Sequence, residues 1–308
     1  MGSEPSERPN LSPTWLGWLR LLRPPNLFTV PGDPLAGFFL ASASAAASGF
    51  APVILCMAAS LLIYMAGLLA NDYFDLAEDK IERPDRPLPS GQVVPLAAAV
   101  ALAALGVVVA GLASRHAALI AGALVLMVVF YDAFGKRWPV WGVLNMGLCR
   151  GLSLLLGAAA AGGVGLAVPA VLLSAIGLTA YITAVSHIAK WEAVPTRFAY
   201  CRWAPMAVLV VWLAGLYGFA APLDGRAILL SGALAAAALL WTALCGWRLA
   251  GEVPPGRISE TVGALLRGLL LIQAALCAWV FWQGAVAAAA LLIVWPASRR
   301  LTRWFYAS

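Results

Sequence analysis

The most distinctive segment of the chain is Asn71-Asp72-Tyr73-Phe74-Asp75-Leu76-Ala77-Glu78-Asp79-Lys80-Ile81-Glu82-Arg83-Pro84-Asp85-Arg86. It follows a long apolar segment. The whole chain has 14 acidic residues, and the stretch holds about two fifths of them. Because 62% of the chain is hydrophobic, this concentration of carboxylates indicates a site rather than an ordinary polar surface.

The carboxylates in this stretch recur at helical spacing. The positions i, i+3, i+7 and i+10 are occupied by Asp72, Asp75, Asp79 and Glu82. They share one face if the helix continues, where like charges repel each other. A divalent cation relieves that repulsion, and Mg²⁺ both takes carboxylate oxygens and bridges to phosphates. The guanidinium groups of Arg83 and Arg86 follow at once and suit phosphate oxygens. The pattern predicts a diphosphate site at a membrane surface; the alternative is a solvated acidic loop bound to phospholipid head groups.

The composition indicates a polytopic membrane protein. The chain has 308 residues, of which 11% are charged, and a mean hydropathy of +0.88, whereas soluble domains are about a quarter charged. We expect one integral domain over residues 15–298, a disordered cytosolic tail over 1–14 and a basic tail over 299–308. The net charge of +6 is scattered through loops, which does not suggest nucleic acid. The five cysteines contain no Cys-x-x-Cys pair, so we expect neither disulfides nor zinc.

Apolar segments of bilayer length predict an all-α bundle of nine or ten transmembrane helices around a central cavity. The predicted spans are 27–48, 52–71, 93–113, 116–134, 140–161, 166–187, 203–222, 226–248 and 263–283. The last apolar run, 285–295, is too short for a confident span. Nine spans would leave Arg299, Arg300 and Arg303 outside the cell, so counting loop charges favours ten.

The loop charges also predict the orientation. Lysines and arginines gather in alternate loops, which places the N-terminus, the acidic stretch and the loop after the sixth span on the cytosolic side. We expect an integral protein of a bacterial inner membrane with its active-site loops facing the cytosol.

The motif Asn71-Asp72-x-x-Asp75-x-x-x-Asp79, followed by the segment 83–91 (Arg-Pro-Asp-Arg-Pro-Leu-Pro-Ser-Gly), resembles the first aspartate-rich motif of the UbiA superfamily of intramembrane prenyltransferases. The resemblance implies an all-helical fold with about nine spans. It also implies that Mg²⁺ holds an isoprenyl diphosphate, whose isoprenyl group passes to an aromatic or other lipophilic acceptor. Asp72, Asp75 and Asp79, with Asn71, would hold the metal against the diphosphate.

Further candidates lie after the fourth span and within the fifth. After the fourth span the superfamily commonly has the pattern Tyr-x-x-x-Lys. Here Tyr131 and Lys136 are one residue further apart than in that pattern. By resemblance Lys136 would pair with the diphosphate and Tyr131 would face an allylic cation. Arg150, five residues after Asn145, needs an anion inside a span. It is expected to contact phosphate or an acidic partner; the alternative is a structural ion pair, for which Asp132 is a candidate.

The loop after the sixth span departs from the superfamily pattern, whose second motif is close to Asp-x-x-x-Asp. This chain has no aspartate there; it has Glu192, with His187 and Lys190 nearby. Three interpretations remain open: one Mg²⁺ suffices and Lys190 neutralises the phosphate, Glu192 replaces the second motif, or the protein is not catalytic. Divergent bacterial members called EboC-like are similar in having a reduced second motif.

Two functions of different class follow. The first is a Mg²⁺-dependent prenyltransferase that uses a prenyl diphosphate and a lipophilic acceptor with an aromatic or hydroxyl group. The second is a non-catalytic carrier or transporter of isoprenoid diphosphates, which the missing second aspartate motif favours.

Overall fold

The computed structural model of the chain describes residues 18, 21–43, 49–82, 95–220, 222 and 224–301. The predicted tails, 1–14 and most of 299–308, lie outside this part of the chain. The helices are α1 (Pro24–Leu27), α2 (Gly32–Ser42), α3 (Ala51–Phe74), α4 (Leu76–Glu82), α5 (Pro95–Ala113), α6 (Arg115–Ala133), α7 (Pro139–Ala158), α8 (Pro169–Ala189), α9 (Ala204–Ala220), α10 (Gly225–Arg248), α11 (Pro255–Cys277) and α12 (Phe281–Leu301).

Helices dominate because backbone groups in a bilayer must be hydrogen-bonded within their own segment. Among the described residues, nine helices are long and apolar enough to cross a membrane: α3 and α5 to α12. α2 is shorter, with 11 described residues, and packs inside the bundle. The predicted all-α membrane fold is confirmed.

Consecutive helices pack side by side, and α2 closes the arrangement. α3 packs on α5 and α6, and each helix from α6 to α11 packs on the next. α2 contacts α3, α7 and α11, so it joins the beginning of the chain to its end. The core therefore lies around α2, α7, α8 and α11.

Glycines let the central helices approach closely. A Cβ atom on Gly37 of α2 would overlap the carbonyl oxygen of Leu154, and one on Gly157 of α7 would overlap that of Pro34. Small residues at helix interfaces drive packing in membranes, where lipid tails remove the hydrophobic advantage. The two glycines therefore fix the depth at which α2 sits against α7.

The last predicted span was wrong in its bounds. It was expected at 263–283, but α11 runs from Pro255 to Cys277. A short turn at residues 278–280 separates it from α12. The charged side chains of Arg257 and Glu260 lie in the part of α11 that precedes the predicted start. The run 285–295 belongs to α12, which has 21 residues, so it forms a long apolar helix of its own.

Since consecutive long helices run in alternate directions, one end of the bundle gathers the C-terminal ends of α3, α6, α8, α10 and α12. We call it the acidic end, because it carries Asn71 to Asp75. A two-residue antiparallel pairing joins two of its loops: Thr196–Arg197 (β1) pairs with Glu252–Val253 (β2).

Candidate active site

The acidic motif lies at a helix break. α3 ends at Phe74, and the amide of Asp75 donates to the carbonyl of Asn71 at 2.9 Å. The chain then turns into the short helix α4 at Leu76, so the single continuous helix assumed from the spacing is interrupted. The Asn71 Nδ2 atom donates to Oδ2 of Asp75 at 3.0 Å, which fixes the orientation of that carboxylate.

Asp72 faces into the protein, and its charge is met by Arg23. The Asp72 residue is only 4% exposed, and its Oδ1 atom lies 3.5 Å from Nη2 of Arg23. Arg23 has φ 45° and ψ 65°, a left-handed conformation that is uncommon for residues other than glycine. Strain of this kind often marks functional sites, and here it accompanies the side chain that reaches the acidic motif.

Arg23 is the common neighbour of the polar groups at this end. Its charge acts on Tyr131 of α6 together with those of Asp75 and Asp132. It also acts on Glu192, in the loop after α8. Burial raises the pKa of Glu192, and the Arg23 guanidinium offsets part of that rise. The fold thus places polar side chains of α3, α6 and the loop after α8 within electrostatic range of the Arg23 guanidinium, and Asp72 in direct contact with it.

Sequence reasoning missed Arg23 as a site residue, because it lies far from the acidic motif along the chain. It also missed Tyr64 of α3, whose hydroxyl shares a hydrogen bond with the side chain of Asn26. The signal that could have found Arg23 is its position just before Pro24, Pro25 and Asn26, where a helix cannot continue through the prolines.

Arg150 is held inside the bundle by Asp33. Its Nε atom lies 2.9 Å from Oδ2 of Asp33, and its Nη2 donates to the carbonyl of Thr29 at 3.0 Å. Gln273 of α11 donates to the same carbonyl and to Oδ1 of Asp33, both at 2.7 Å. The contacts support the structural ion pair, with Asp33 as partner in place of the suggested Asp132. A role of Arg150 in diphosphate binding stays a prediction.

The other predicted residues are placed as follows. The ammonium of Lys190 donates to the carbonyl of Pro139 at the start of α7, which links the loops after α6 and α8. Asn145 donates to the carbonyl of Met127 at 2.7 Å and so joins α6 to α7. Arg83 and Arg86 lie outside the described residues, as do the side chains of Asp79, Glu82 and Lys136.

The described donors fit a magnesium ion only in part. Carboxylate oxygens are hard ligands, and Mg²⁺ is commonly held by one or two carboxylates, with waters and substrate phosphates completing the shell. Asp72 and Asp75 supply such a pair at one helix end. Among the side chains that the structure describes, no three His, Cys, Asp or Glu residues lie close enough to share a metal. The remaining ligands would therefore come from Asp79, the substrate or water.

The family follows from comparison with known proteins. The model of the UbiA prenyltransferase family matches residues 34–254, which is well over half of the chain. The chain belongs to the UbiA prenyltransferase family. The matched region includes the acidic stretch, Tyr131, Arg150 and Glu192.

Curated relatives from archaea resemble part of this chain. A digeranylgeranylglyceryl phosphate synthase of Methanothrix thermoacetophila is 36% identical over 146 residues, which is 46% of this chain and 54% of the relative. The synthase of Natronomonas pharaonis is 35% identical over 150 residues, covering 48% and 53%. The chain thus spans about half the length of the curated relatives that it matches.

Two solved structures share the fold. A UbiA homologue from Aeropyrum pernix K1, in its apo form, has a TM-score of 0.61 and 21% identity, covering 81% of this chain and 96% of the homologue. A UbiA homologue from Archaeoglobus fulgidus, bound to GPP and Mg²⁺, has a TM-score of 0.56 and 17% identity, covering 83% and 99%. At this identity the likeness shows the fold alone.

Proposed function

We propose that this protein is a Mg²⁺-dependent prenyltransferase that moves an isoprenyl group from a prenyl diphosphate to a lipophilic acceptor. The observation that carries the proposal is the contact of Arg23 with Asp72, with Asp75 one turn of helix away and Tyr131 and Glu192 nearby. A guanidinium among carboxylates is the pairing that a diphosphate with Mg²⁺ requires. Membership of the family supports the same reaction.

Each residue has a role in this proposal. Asp72, Asp75 and Asp79 hold the metal, which supplies Lewis-acid stabilisation of the leaving diphosphate. Arg23 is the nearest described cation, and it balances negative charge as the bond between carbon and oxygen breaks. The ring of Tyr131 faces the allylic cation through its quadrupole.

Further cations complete the proposed site. Lys136 pairs with the diphosphate, and the guanidinium groups of Arg83 and Arg86 are proposed to bind its oxygens. Glu192 reaches the site from the opposite loop and takes the place of the missing second aspartate motif. Burial raises its pKa even though Arg23 offsets part of the rise, and a bound cation would favour the charged carboxylate further.

The acceptor is proposed from the names of the relatives. Digeranylgeranylglyceryl phosphate carries two geranylgeranyl groups, so the acceptor that yields it carries one, together with a free hydroxyl and a phosphate. In this reaction the allylic carbon loses its bond to the diphosphate oxygen and gains one to the acceptor hydroxyl oxygen. The hydroxyl proton and the diphosphate leave. Geranylgeranylglyceryl phosphate is therefore the first acceptor to test, followed by aromatic acceptors.

The location of the site is part of the proposal. We propose a bacterial inner membrane as the location, and the charge distribution supports placing the acidic end on the cytosolic side. Since α12 brings the chain back to the acidic end, Arg299 and Arg300 join the other basic loops there. Labelling of single cysteines introduced at Lys80 and Arg226 with an impermeant maleimide tests this; only the second should react in intact cells.

The experiment that tests the function uses the purified protein in detergent. Geranylgeranyl thiodiphosphate, in which sulfur replaces the bridging oxygen, is titrated with and without Mg²⁺. We expect Mg²⁺-dependent binding that is lost in Asp75→Ala and kept in Asp224→Asn, which removes a carboxylate at the opposite end. Mass spectrometry then searches for a prenylated product with each acceptor. Absence of Mg²⁺-dependent binding across several chain lengths would reject the proposal.

A second candidate is the non-catalytic carrier. The absence of a second aspartate motif favours it, since a site with fewer metal ligands can bind a diphosphate without activating it. Binding lost in Asp75→Ala, with no product from any acceptor, would support the carrier over the enzyme.

A further inference from the structure

A cavity at the acidic end lies apart from the proposed active site. It opens between the end of α10 and the start of α11 and has a volume of about 290 Å³. Its lining includes Arg248, Arg257, Glu260 and Thr261. None of these residues takes part in the arrangement around Arg23, and none has a role in the proposed transfer.

The charges in this cavity are unbalanced. Arg248 and Arg257 are exposed, and neither has a carboxylate within 4 Å among the described residues. Glu260 is one negative charge against two guanidinium groups. Because guanidinium groups match the geometry of phosphate oxygens, a cavity with two of them suits a phosphate group.

Aromatic side chains surround the same helix ends. Trp247 is 66% exposed and stacks edge-to-face on Trp203, with ring centroids 5.9 Å apart. The guanidinium of Arg202 lies 5.3 Å from the centre of the Trp203 ring. Tryptophans at the ends of membrane helices lie at the depth of the lipid head groups. The cavity is therefore at head-group depth, with apolar surface beside it for acyl chains.

The loop between the two arginines is held in place. Residues Glu252–Val253 pair with Thr196–Arg197, and Val253 is fully buried. Gly251, with φ 77°, makes the turn into this pairing, a conformation that favours glycine. The two guanidinium groups thus project from the ends of a fixed connection, which provides a formed site for a ligand.

We propose that this cavity binds the phosphate of an anionic membrane phospholipid. Basic pockets between membrane helices recognise such head groups. Arg248 and Arg257 contact the phosphate, the Thr261 hydroxyl lies at the base of the cavity, and Trp247 contacts the lipid chains. Glu260 limits the affinity by repulsion, so the site holds a lipid that exchanges with the bilayer.

The test uses the full chain in detergent, without substrates. The protein is titrated with phosphatidylglycerol or phosphatidylcholine, and bound lipid is counted by native mass spectrometry. We expect phosphatidylglycerol to bind preferentially. Each arginine near a membrane surface contributes about a fivefold change in binding, so the double variant Arg248→Gln/Arg257→Gln should bind about 25-fold more weakly. The matched control is Arg115→Gln/Arg226→Gln, which removes the same charge at the opposite end.

Two further measurements test whether the ligand is an anionic lipid rather than a soluble phosphate. Glu260→Gln removes the repelling carboxylate and should tighten phosphatidylglycerol binding, which a purely structural role would not produce. Soluble glycerol phosphate at the same concentration should bind far more weakly, because it has no chains to contact Trp247. Equal losses in both double variants, or equal binding of glycerol phosphate, would overturn the proposal. The measurement needs no prenyl transfer, so its failure is distinguishable from failure of the proposed function.

Discussion

The guanidinium of Arg23 lies 3.5 Å from the carboxylate of Asp72, although the two residues belong to segments on opposite sides of α2 in the sequence. Arg23 precedes the first helices of the bundle, whereas Asp72 is in the last turn of α3. The contact places a guanidinium beside the first aspartate of the acidic motif.

This contact predicts that Arg23→Gln weakens binding of prenyl thiodiphosphate by about 10- to 100-fold, since hydrogen bonds to charged groups contribute about 1.5–3 kcal/mol. The loss should appear both with and without Mg²⁺, because the guanidinium acts on the phosphate directly. Titration calorimetry measures it. Arg226→Gln, at the opposite end, is the control; an equal loss there would contradict a local role.

The ion pair between Asp33 and Arg150 predicts a large effect on stability. Asp33 is fully buried, and removal of one partner from a buried pair costs about 3–5 kcal/mol. Asp33→Ala should therefore destabilise the protein by about that amount, as measured by unfolding in mixed micelles. In a double-mutant cycle, Asp33→Ala with Arg150→Met should cost much less than the sum of the single changes. Additive costs would show that the pair is not coupled.

The close packing of α2 on α7 predicts opposite results for two glycine substitutions. Gly157→Ala places a methyl group on the carbonyl oxygen of Pro34, and overpacking of this kind costs about 1–3 kcal/mol or more. Gly122→Ala on α6 meets nothing within 4 Å, and alanine is favoured over glycine in a helix by about 1 kcal/mol. The midpoint temperature of thermal unfolding should fall for Gly157→Ala and stay equal or rise for Gly122→Ala. Similar changes in both would contradict the packing.

The raised pKa of Glu192 predicts a specific dependence on pH. Burial raises the pKa of this carboxyl above its ordinary value in the folded state, so the folded protein binds more protons than the unfolded chain. Stability from this group is therefore present below the unfolded pKa and is lost as the pH rises through the folded pKa. At a pH below the unfolded pKa, Glu192→Gln should match the wild type in stability. At a pH above the folded pKa, the variant should be more stable than the wild type.

The same residue should influence Mg²⁺. If Glu192 is a ligand, Mg²⁺-dependent binding of the thiodiphosphate should strengthen as the pH rises and Glu192 loses its proton, and Glu192→Gln should lose that part of the pH profile. An unchanged profile in Glu192→Gln would exclude the loop after α8 from the metal site.

Much of the fold was predictable from local pattern. The apolar runs of bilayer length gave most of the helices, because a helix in lipid satisfies its own backbone groups and needs only a sufficiently long apolar segment. The pattern failed at α11, where Arg257 and Glu260 lie inside a helix that the hydropathy placed later. It also failed at α12, whose apolar run alone was too short.

Only the acidic part of the candidate site was predictable from the sequence. The spacing of Asp72, Asp75 and Asp79 identified the acidic stretch. The same spacing did not reveal the break at Asp75, since the interruption depends on how the helix end packs. Arg23 was missed because the prolines after it indicate a helix break but do not indicate Asp72 as its partner.

The sequence by itself determined that this is a helical membrane protein with an acidic motif at the end of an apolar span. Those properties depend on segments of about 20 residues, in which composition and spacing act locally. Only the tertiary structure decided the partners: Asp33 for Arg150, Arg23 for Asp72, and Pro139 for Lys190. Buried charges must find opposite charges or carbonyl groups, and which one lies within reach depends on the order and rotation of packed helices.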